Sequence, residues 1–336
     1  MDDRKKVVQD FIENKTPSRV PTGFWHHFVS FHNHHMGLKD TQVRKDVIQG
    51  QKDYIDQTQP DFVKIMSDGY FGHPAVLDNS IENVKDLKKV KSVGENHIWI
   101  NEQVENVKEI CDYIDKQLLT YYNVFSPLQY IRLKFEELDE NFEIFTRLFF
   151  NDPDAMINAA NEIEQDVKSL IDKLFTETNL DGIYYSVQSV QGKRADDAFH
   201  KTFVEPSDLS IMEHIKKYTD NIMIHICGYG NYTNDLRRYV DYPAKVFNWA
   251  TATENVSLHE GKEIFRGKPV LGGFDNKPES ILYNGNDEEL KDYIYGMLDA
   301  AGTKGVALGA DCTIDPSIKP ERLERIREIA RMYSEK

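Results

Sequence analysis

A short apolar run that ends in a polar residue and is followed by a helical pattern recurs along the whole chain, and this alternation restricts the fold more than any other feature. Eight such runs are legible: VPTGFWHH (20–27), DFVKIMSD (61–68), YYNVFSPLQ (121–129), DGIYYSVQ (181–188), NIMIHIC (221–227), AKVFNWA (244–250), PVLGGFD (269–275) and GVALGAD (305–311). Most are too apolar to expose one face, as expected of parallel strands covered by helices. Between them, apolar residues recur at three- and four-residue spacing. In 151–177, Asn151 or Asp152 can cap the helix and Pro153 suits its first turn. Residues 319–336 read as a closing amphipathic helix, and 1–15 as a charged amphipathic helix ahead of the first strand. The pattern predicts an α/β fold, a single (β/α)8 TIM barrel with an N-terminal helical extension. A doubly wound open sheet would call for a glycine-rich dinucleotide fingerprint after an early strand, and none occurs. No linker divides the chain, so residues 1–336 read as one domain. Residues 89–120 predict an irregular excursion around IWINEQVEN and a helix carrying Cys111.

Charge narrows the function. Lys plus Arg number 41 against 56 Asp plus Glu, a formal balance of −15 that argues against nucleic acid and anionic membrane surfaces. No window approaches a membrane span, and the N-terminus lacks the apolar core of a signal peptide. Three cysteines give an odd count and imply no disulfide framework. A cytoplasmic protein with reduced thiols, acting on a small molecule or another protein, is the expectation.

In a barrel of this kind the active site collects at the C-terminal strand ends. Those ends carry His26 or His27, Asp68, Gln129, Gln188, His225 with Cys227, Asn248 with Trp249, Asp275 with Asn276, and Asp311 with Cys312. His225 and Cys227 lie two apart on a strand and therefore point to one side. Cys312 follows the last strand at the same rim, and strands five and eight are expected to face each other across the mouth. One imidazole and two thiolates suit Zn²⁺ with a fourth position open for chemistry. The plain alternative is a core histidine beside a core cysteine. Five histidines crowd 26–35, namely His26, His27, His32, His34 and His35. Alternation sends His26 and His27 to opposite sides, so at most one faces the axis, and the rest are expected on loop or helix surface. Cys111 shares an apolar helical stripe with Val107 and Ile114 and reads as a core thiol.

The segments HICGYG (225–230), RRYVD (237–241), PAKVFNWA (243–250), GKPVLGGFDN (267–276), LGADCTIDP (308–316) and PERLERIRE (320–328) resemble the C-terminal half of the uroporphyrinogen decarboxylase superfamily. DFVKIMSDGYF (61–71) and DGIYYSVQ (181–188) resemble its second- and fourth-strand segments. The resemblance runs from about Arg19 to the C-terminus and implies the same barrel. True decarboxylases of this superfamily use no metal and carry an arginine-rich segment after the first strand. Here the matching segment, GFWHHFVSFHNHHMG (23–37), has no arginine. Arg194 and the pair Arg237–Arg238 are the nearest cations to the expected rim, few for a substrate with many carboxylates. The second branch, the corrinoid-linked methyltransferases, shares a His-x-Cys after strand five and a Cys after strand eight that bind zinc; His225, Cys227 and Cys312 match it. The resemblance therefore implies a zinc-dependent methyltransferase working between a methylated corrinoid, presented by a partner protein, and a small-molecule thiol. Asp68 matches the Asp that the decarboxylases place after strand two; it reads either as an acid/base or substrate-orienting group or as an acceptor for the N–H of a metal ligand, and His26, Gln188, Asp275 and Asn276 are candidates for corrinoid or substrate contact. Two other readings stay open: decarboxylation of a polycarboxylate or porphyrinogen, and a non-catalytic barrel that binds a corrinoid or another ligand.

Overall fold

The computed structural model describes residues 3–138, 142–188, 194–228 and 233–335. The apolar runs form β1 (Thr22–Gly23), β2 (Phe62–Ile65), β3 (Leu119–Phe125), β4 (Gly182–Val187), β5 (Ile222–Ile226), β6 (Val246–Trp249), β7 (Val270–Phe274) and β8 (Val306–Ala310). Neighbouring strands pair in parallel in the order β1-β8-β7-β6-β5-β4-β3-β2, and β1 comes round against β2 to close a (β/α)8 barrel. The first and last residues of the two terminal helices expected from sequence, Met1, Asp2 and Lys336, lie outside the described residues. Among the described residues no helix is long and apolar enough to cross a membrane.

Strand alternation sorts the side chains into two layers. Phe62, Tyr121, Tyr184, Met223, Val246, Leu271 and Ala307 fill the barrel interior together with Val8, Phe11 and Ile12 of the helix Arg4–Ile12. The N-terminal extension thus supplies side chains to the interior core. The residues between them, including Tyr122, Val124, Ile224, Ile226, Phe247 and Trp249, belong to the larger core under the helices. Both faces are therefore dry, which is why the runs looked continuous. One step further along the inner face the sequence turns polar, at Lys64, Asn123, Ser186, His225 and Asn248, all buried. This polar layer is the floor of the mouth.

Closure between β1 and β2 does not rest on a backbone ladder; two buried carboxylates hold the seam. Before β2, Asp61 accepts hydrogen bonds from the Thr22 amide (2.8 Å) and from both terminal nitrogens of Arg19 (2.9 and 2.6 Å). After β2, Asp68 accepts from the Phe28 amide at 2.7 Å and meets His27 Nδ1 at 2.8 Å. β1 is short and close-packed: a Cβ on Gly23 would stand 2.4 Å from the Phe62 ring.

Three expectations are corrected. IWINEQVEN is no irregular excursion but the start of the helix Ile98–Ile114, whose first turn is capped by His97. Gln129 is not at a strand end: Ser126 caps, and Pro127 opens, the helix Pro127–Leu133, which contains it. Strands five and eight are three places apart in the ring, so β5 stands directly across from β1 rather than from β8.

Candidate metal centre at the barrel mouth

His225 sits on the inner face of β5, in register with Ser186 of β4 and Asn248 of β6. Its Nδ1 hydrogen-bonds to Asn248 Oδ1. That amide cannot flip freely: Nδ2 donates to the Leu271 carbonyl at 2.8 Å, and Oδ1 also accepts from the Tyr184 hydroxyl at 2.7 Å. An oxygen facing Nδ1 calls for the proton on Nδ1, which leaves the Nε2 lone pair for a ligand. Two residues on, Cys227 is fixed at its backbone, its N–H donating to Val187 (2.9 Å) and its carbonyl accepting from Asn234 Nδ2 (2.8 Å).

Cys312 follows Asp311, which clamps the end of β8 toward β6. The Asp311 carboxylate accepts from Thr251 Oγ1 at 2.6 Å and from the Ala252 amide at 2.8 Å. Its own N–H donates to Phe274 at 2.8 Å. The clamp and the His225–Asn248 pair bring the strand-five and strand-eight ligands together across the intervening strands. The ligand atoms of His225, Cys227 and Cys312 all lie within 4.8 Å of one another. Its hydrogen bond with Cys227 holds the Cys312 thiol well below its ordinary pKa; burial works against this, while His225 and Lys64 add to it. An imidazole with its lone pair presented and two clustered thiols, one of them readily ionised, fit a tetrahedral Zn²⁺ with one position left over.

The cluster opens on a cavity of about 280 Å³. Its apolar wall is Phe31, Met66, Phe71, Phe125 and Leu133; its polar lining includes Lys64, Asn123, Ser186, Gln188 and Arg132. Lys64 lies under the mouth, 4.2 Å from the Tyr184 ring and 4.8 Å from that of Trp25, and burial pushes its pKa down to about 8. A second potential ligand group stands at the β1–β2 seam, where the ligand atoms of His27, His34 and Asp68 lie within 4.8 Å of one another. Burial opposes charge on both His27 and Asp68, yet their mutual attraction and hydrogen bond outweigh it. The pKa of His27 is raised and that of Asp68 lowered.

The candidates from sequence are distributed unevenly around this cavity. His225, Cys227, Cys312 and Gln188 line it. Asp68 is fully buried behind His27 rather than on the surface of the cavity. His26 is placed elsewhere: its ring packs on Phe28 and Tyr54 in an outer groove, and His27 takes the inward position, because alternation at the end of β1 turns the second histidine to the axis. Asp275 and Asn276 also lie outside the cavity. Asp275 accepts from the Lys277 amide (3.1 Å) in a turn, and Asn276 donates to the Thr313 carbonyl (2.9 Å), bracing the loop that carries Cys312. Arg194 stacks on Phe150, Arg237 pairs with Asp235 and Arg238 with Asp197, so none lines the mouth.

Several site residues escaped the sequence reading. Arg132 is buried at the cavity, bonded to Gln188 and paired with Glu136. The Ser126–Pro127 helix start was the signal that could have found it, since it places Gln129 and Arg132 one turn apart on a helix entering the mouth. His34 and His35 are buried, where surface was expected; His32 is exposed. Cys111 packs in the core beside Thr120, and burial pushes its pKa up to about 12.

Comparison with known proteins bears on this arrangement. The family model for uroporphyrinogen decarboxylase (URO-D) matches residues 68–333. Among curated proteins, a methylcobamide:CoM methyltransferase (MtbA) of Methanosarcina acetivorans is 21% identical over 261 residues, covering 77% of this chain and 72% of the relative. Its counterpart in Methanosarcina mazei is 22% identical over the same length and shares. Among solved structures, a methyltransferase from Methanosarcina mazei superposes with a TM-score of 0.73 at 12% identity, over 99% of both chains. A B12-independent methionine synthase from Shewanella sp. W3-18-1 does so at 0.58 and 13% identity, over 94% of this chain and 98% of the other. With four-fifths of its length matched by the family model, this chain belongs to the uroporphyrinogen decarboxylase (URO-D) family.

Proposed function

We propose that this protein transfers a methyl group between a methylated corrinoid, presented at the mouth by a partner protein, and a small thiol. The observation that carries the reading is the convergence of His225, Cys227 and Cys312 at one wall of the cavity. The named activity of the curated relatives supports it. These three residues would hold Zn²⁺. Bound there, the ion would let a substrate thiol enter as a thiolate at neutral pH while keeping the sulfur nucleophilic.

The chain's own residues do the rest. Asn248 keeps His225 in the tautomer that presents Nε2. Lys64, cationic below its pKa of about 8, offsets part of the charge of the two thiolates. Phe71 and Phe125, both buried, give the cavity an apolar wall that would limit the water reaching the reacting sulfur. The S–C bond forms as the carbon–cobalt bond of the substrate breaks, with the electron pair staying on cobalt.

Decarboxylation of a porphyrinogen finds less support. Among the described residues the arginine and lysine lining the cavity are Arg132 and Lys64, and Arg132 is already paired with Glu136. A substrate with many carboxylates needs several cations in fixed forks. The deciding experiment measures zinc content together with methyl transfer from methylcobalamin to a panel of small thiols, beside a uroporphyrinogen assay. One zinc per chain and thioether formation are expected. A zinc-free chain that decarboxylates the porphyrinogen would overturn the proposal.

A further inference from the structure

The seam between β1 and β2 gathers a second set of ligands that methyl transfer at the thiolate cluster does not use. His27 and His34 lie against each other with ring centres 4.2 Å apart and ring planes tilted by 39°. Asp68 stands behind them, and the ligand atoms of the three lie within 4.8 Å of one another. Glu137 approaches from the far side, its Oε2 3.6 Å from His34 Nδ1 and held by His35 Nε2 at 2.8 Å. It belongs to the π-helical turn Lys134–Leu138, a local geometry that recurs at functional sites.

Closure of the barrel explains Asp68 and His27, which bond each other and the Phe28 amide. It does not explain His34. That ring is only 3% exposed, and neither nitrogen has a partner at hydrogen-bond distance, the Glu137 carboxylate standing 3.6 Å from Nδ1. A buried imidazole left so is destabilising, and such a group calls for a bound ion or water. Two imidazoles with one or two carboxylates form a nitrogen–oxygen donor set suited to first-row divalent cations, harder than the sulfur-rich cluster of the same cavity.

We propose that His27, His34 and Asp68, with Glu137 within reach, form a second divalent-cation site, one that takes ions such as Mn²⁺ or Fe²⁺ without any thiolate. His27 and His34 line the same cavity as Cys227 and Cys312, so an oxygen group of a substrate is available to complete the coordination. The inference stands whether or not the sulfur cluster binds zinc.

The test uses the full chain, stripped with chelator, given one equivalent of zinc and titrated with Mn²⁺ alone while free Mn²⁺ is read by electron paramagnetic resonance. One saturable Mn²⁺ per chain is expected. Affinity should fall about 100-fold in His34→Ala and remain unchanged in His32→Ala, whose side chain is exposed. Pulsed measurements on the bound ion should show coupling to two imidazole nitrogens, a readout that needs no variant and is indifferent to misfolding. Absence of saturable binding in the wild-type chain, unchanged affinity in His34→Ala, or bound Mn²⁺ with fewer than two nitrogen couplings would each overturn the site.

Discussion

The β5–β8 corner and the β1–β2 corner of the same mouth are built in opposite ways. At the first, ligands sit on or just past regular strands whose ladders run unbroken from β5 through β6 and β7 to β8. His225 is set by register against Asn248, and Cys312 by the Asp311 clamp. At the second the ladder is interrupted, and carboxylates take over the work of closure, so the same groups that hold the barrel shut are also potential ligands. The strand-built corner is sulfur-rich with its scaffold separate from its ligands; the seam-built corner is nitrogen–oxygen and has scaffold and ligand in one. The thiols of the first can be removed without loosening the fold, whereas Asp68 of the second cannot.

The largest effect that tests this contrast is removal of the thiols. Cys227→Ser combined with Cys312→Ser should abolish zinc retention and lower thiol methylation at least about 1,000-fold, since loss of an outer partner alone costs about 10–100-fold. The thermal midpoint of the metal-free protein should barely move. A large drop in that midpoint would mean that the thiols carry the scaffold after all.

The seam gives the next largest. Asp61→Asn takes the buried carboxylate away from Arg19 and Arg327, and guanidinium cannot shed its proton, so about 3–5 kcal/mol of stability should be lost. Asp68→Asn should cost less, about 1–3 kcal/mol, because His27 can become neutral when its partner does. Denaturant unfolding of the two variants measures the ordering. Mn²⁺ binding separates them further, since only Asp68→Asn should weaken it. Equal stability losses would show that His27 is not free to discharge.

Legibility in the sequence followed the same division. Strand runs reported the barrel, and the polar residue closing each run reported the mouth, because period-two alternation fixes which side a residue faces. Alternation puts His225 and Cys227 on one side, whereas Cys312, past the end of its run, is placed only by its position at the rim and by the family resemblance. Asn248 was seen as a strand end but not as the partner of His225, since pairing between strands is not written in either strand. The seam was scarcely legible. Past His27 the chain runs through a loop into the short 3-10 turn Phe31–His35, too brief for a period to show which of His32, His34 and His35 face inward. Glu137 is 102 positions from His35, and no local rule joins them. Arg132 was lost when its helix was read as the end of a strand.

The smallest expected effect isolates orientation from ligation in the strand-built corner. Asn248 touches no ligand sulfur, yet its Oδ1 faces His225 Nδ1 and its Nδ2 is committed to the Leu271 carbonyl. Asn248→Ala removes the acceptor that fixes the tautomer, so zinc affinity should fall about 10–100-fold with all three ligands present. It also leaves the Tyr184 hydroxyl and the Leu271 carbonyl short of a partner, so some loss of stability accompanies it. Asn248→Asp tells the two apart. A carboxylate still accepts from His225 Nδ1 and from Tyr184 but cannot donate to Leu271. Zinc affinity should therefore recover in Asn248→Asp while the stability deficit remains. Competition with a chelator gives the first quantity and thermal unfolding of the metal-free chain the second. If affinity and stability fell and recovered together, Asn248 would act on the metal only through the fold, and the distinction between scaffold and ligand drawn for this corner would fail.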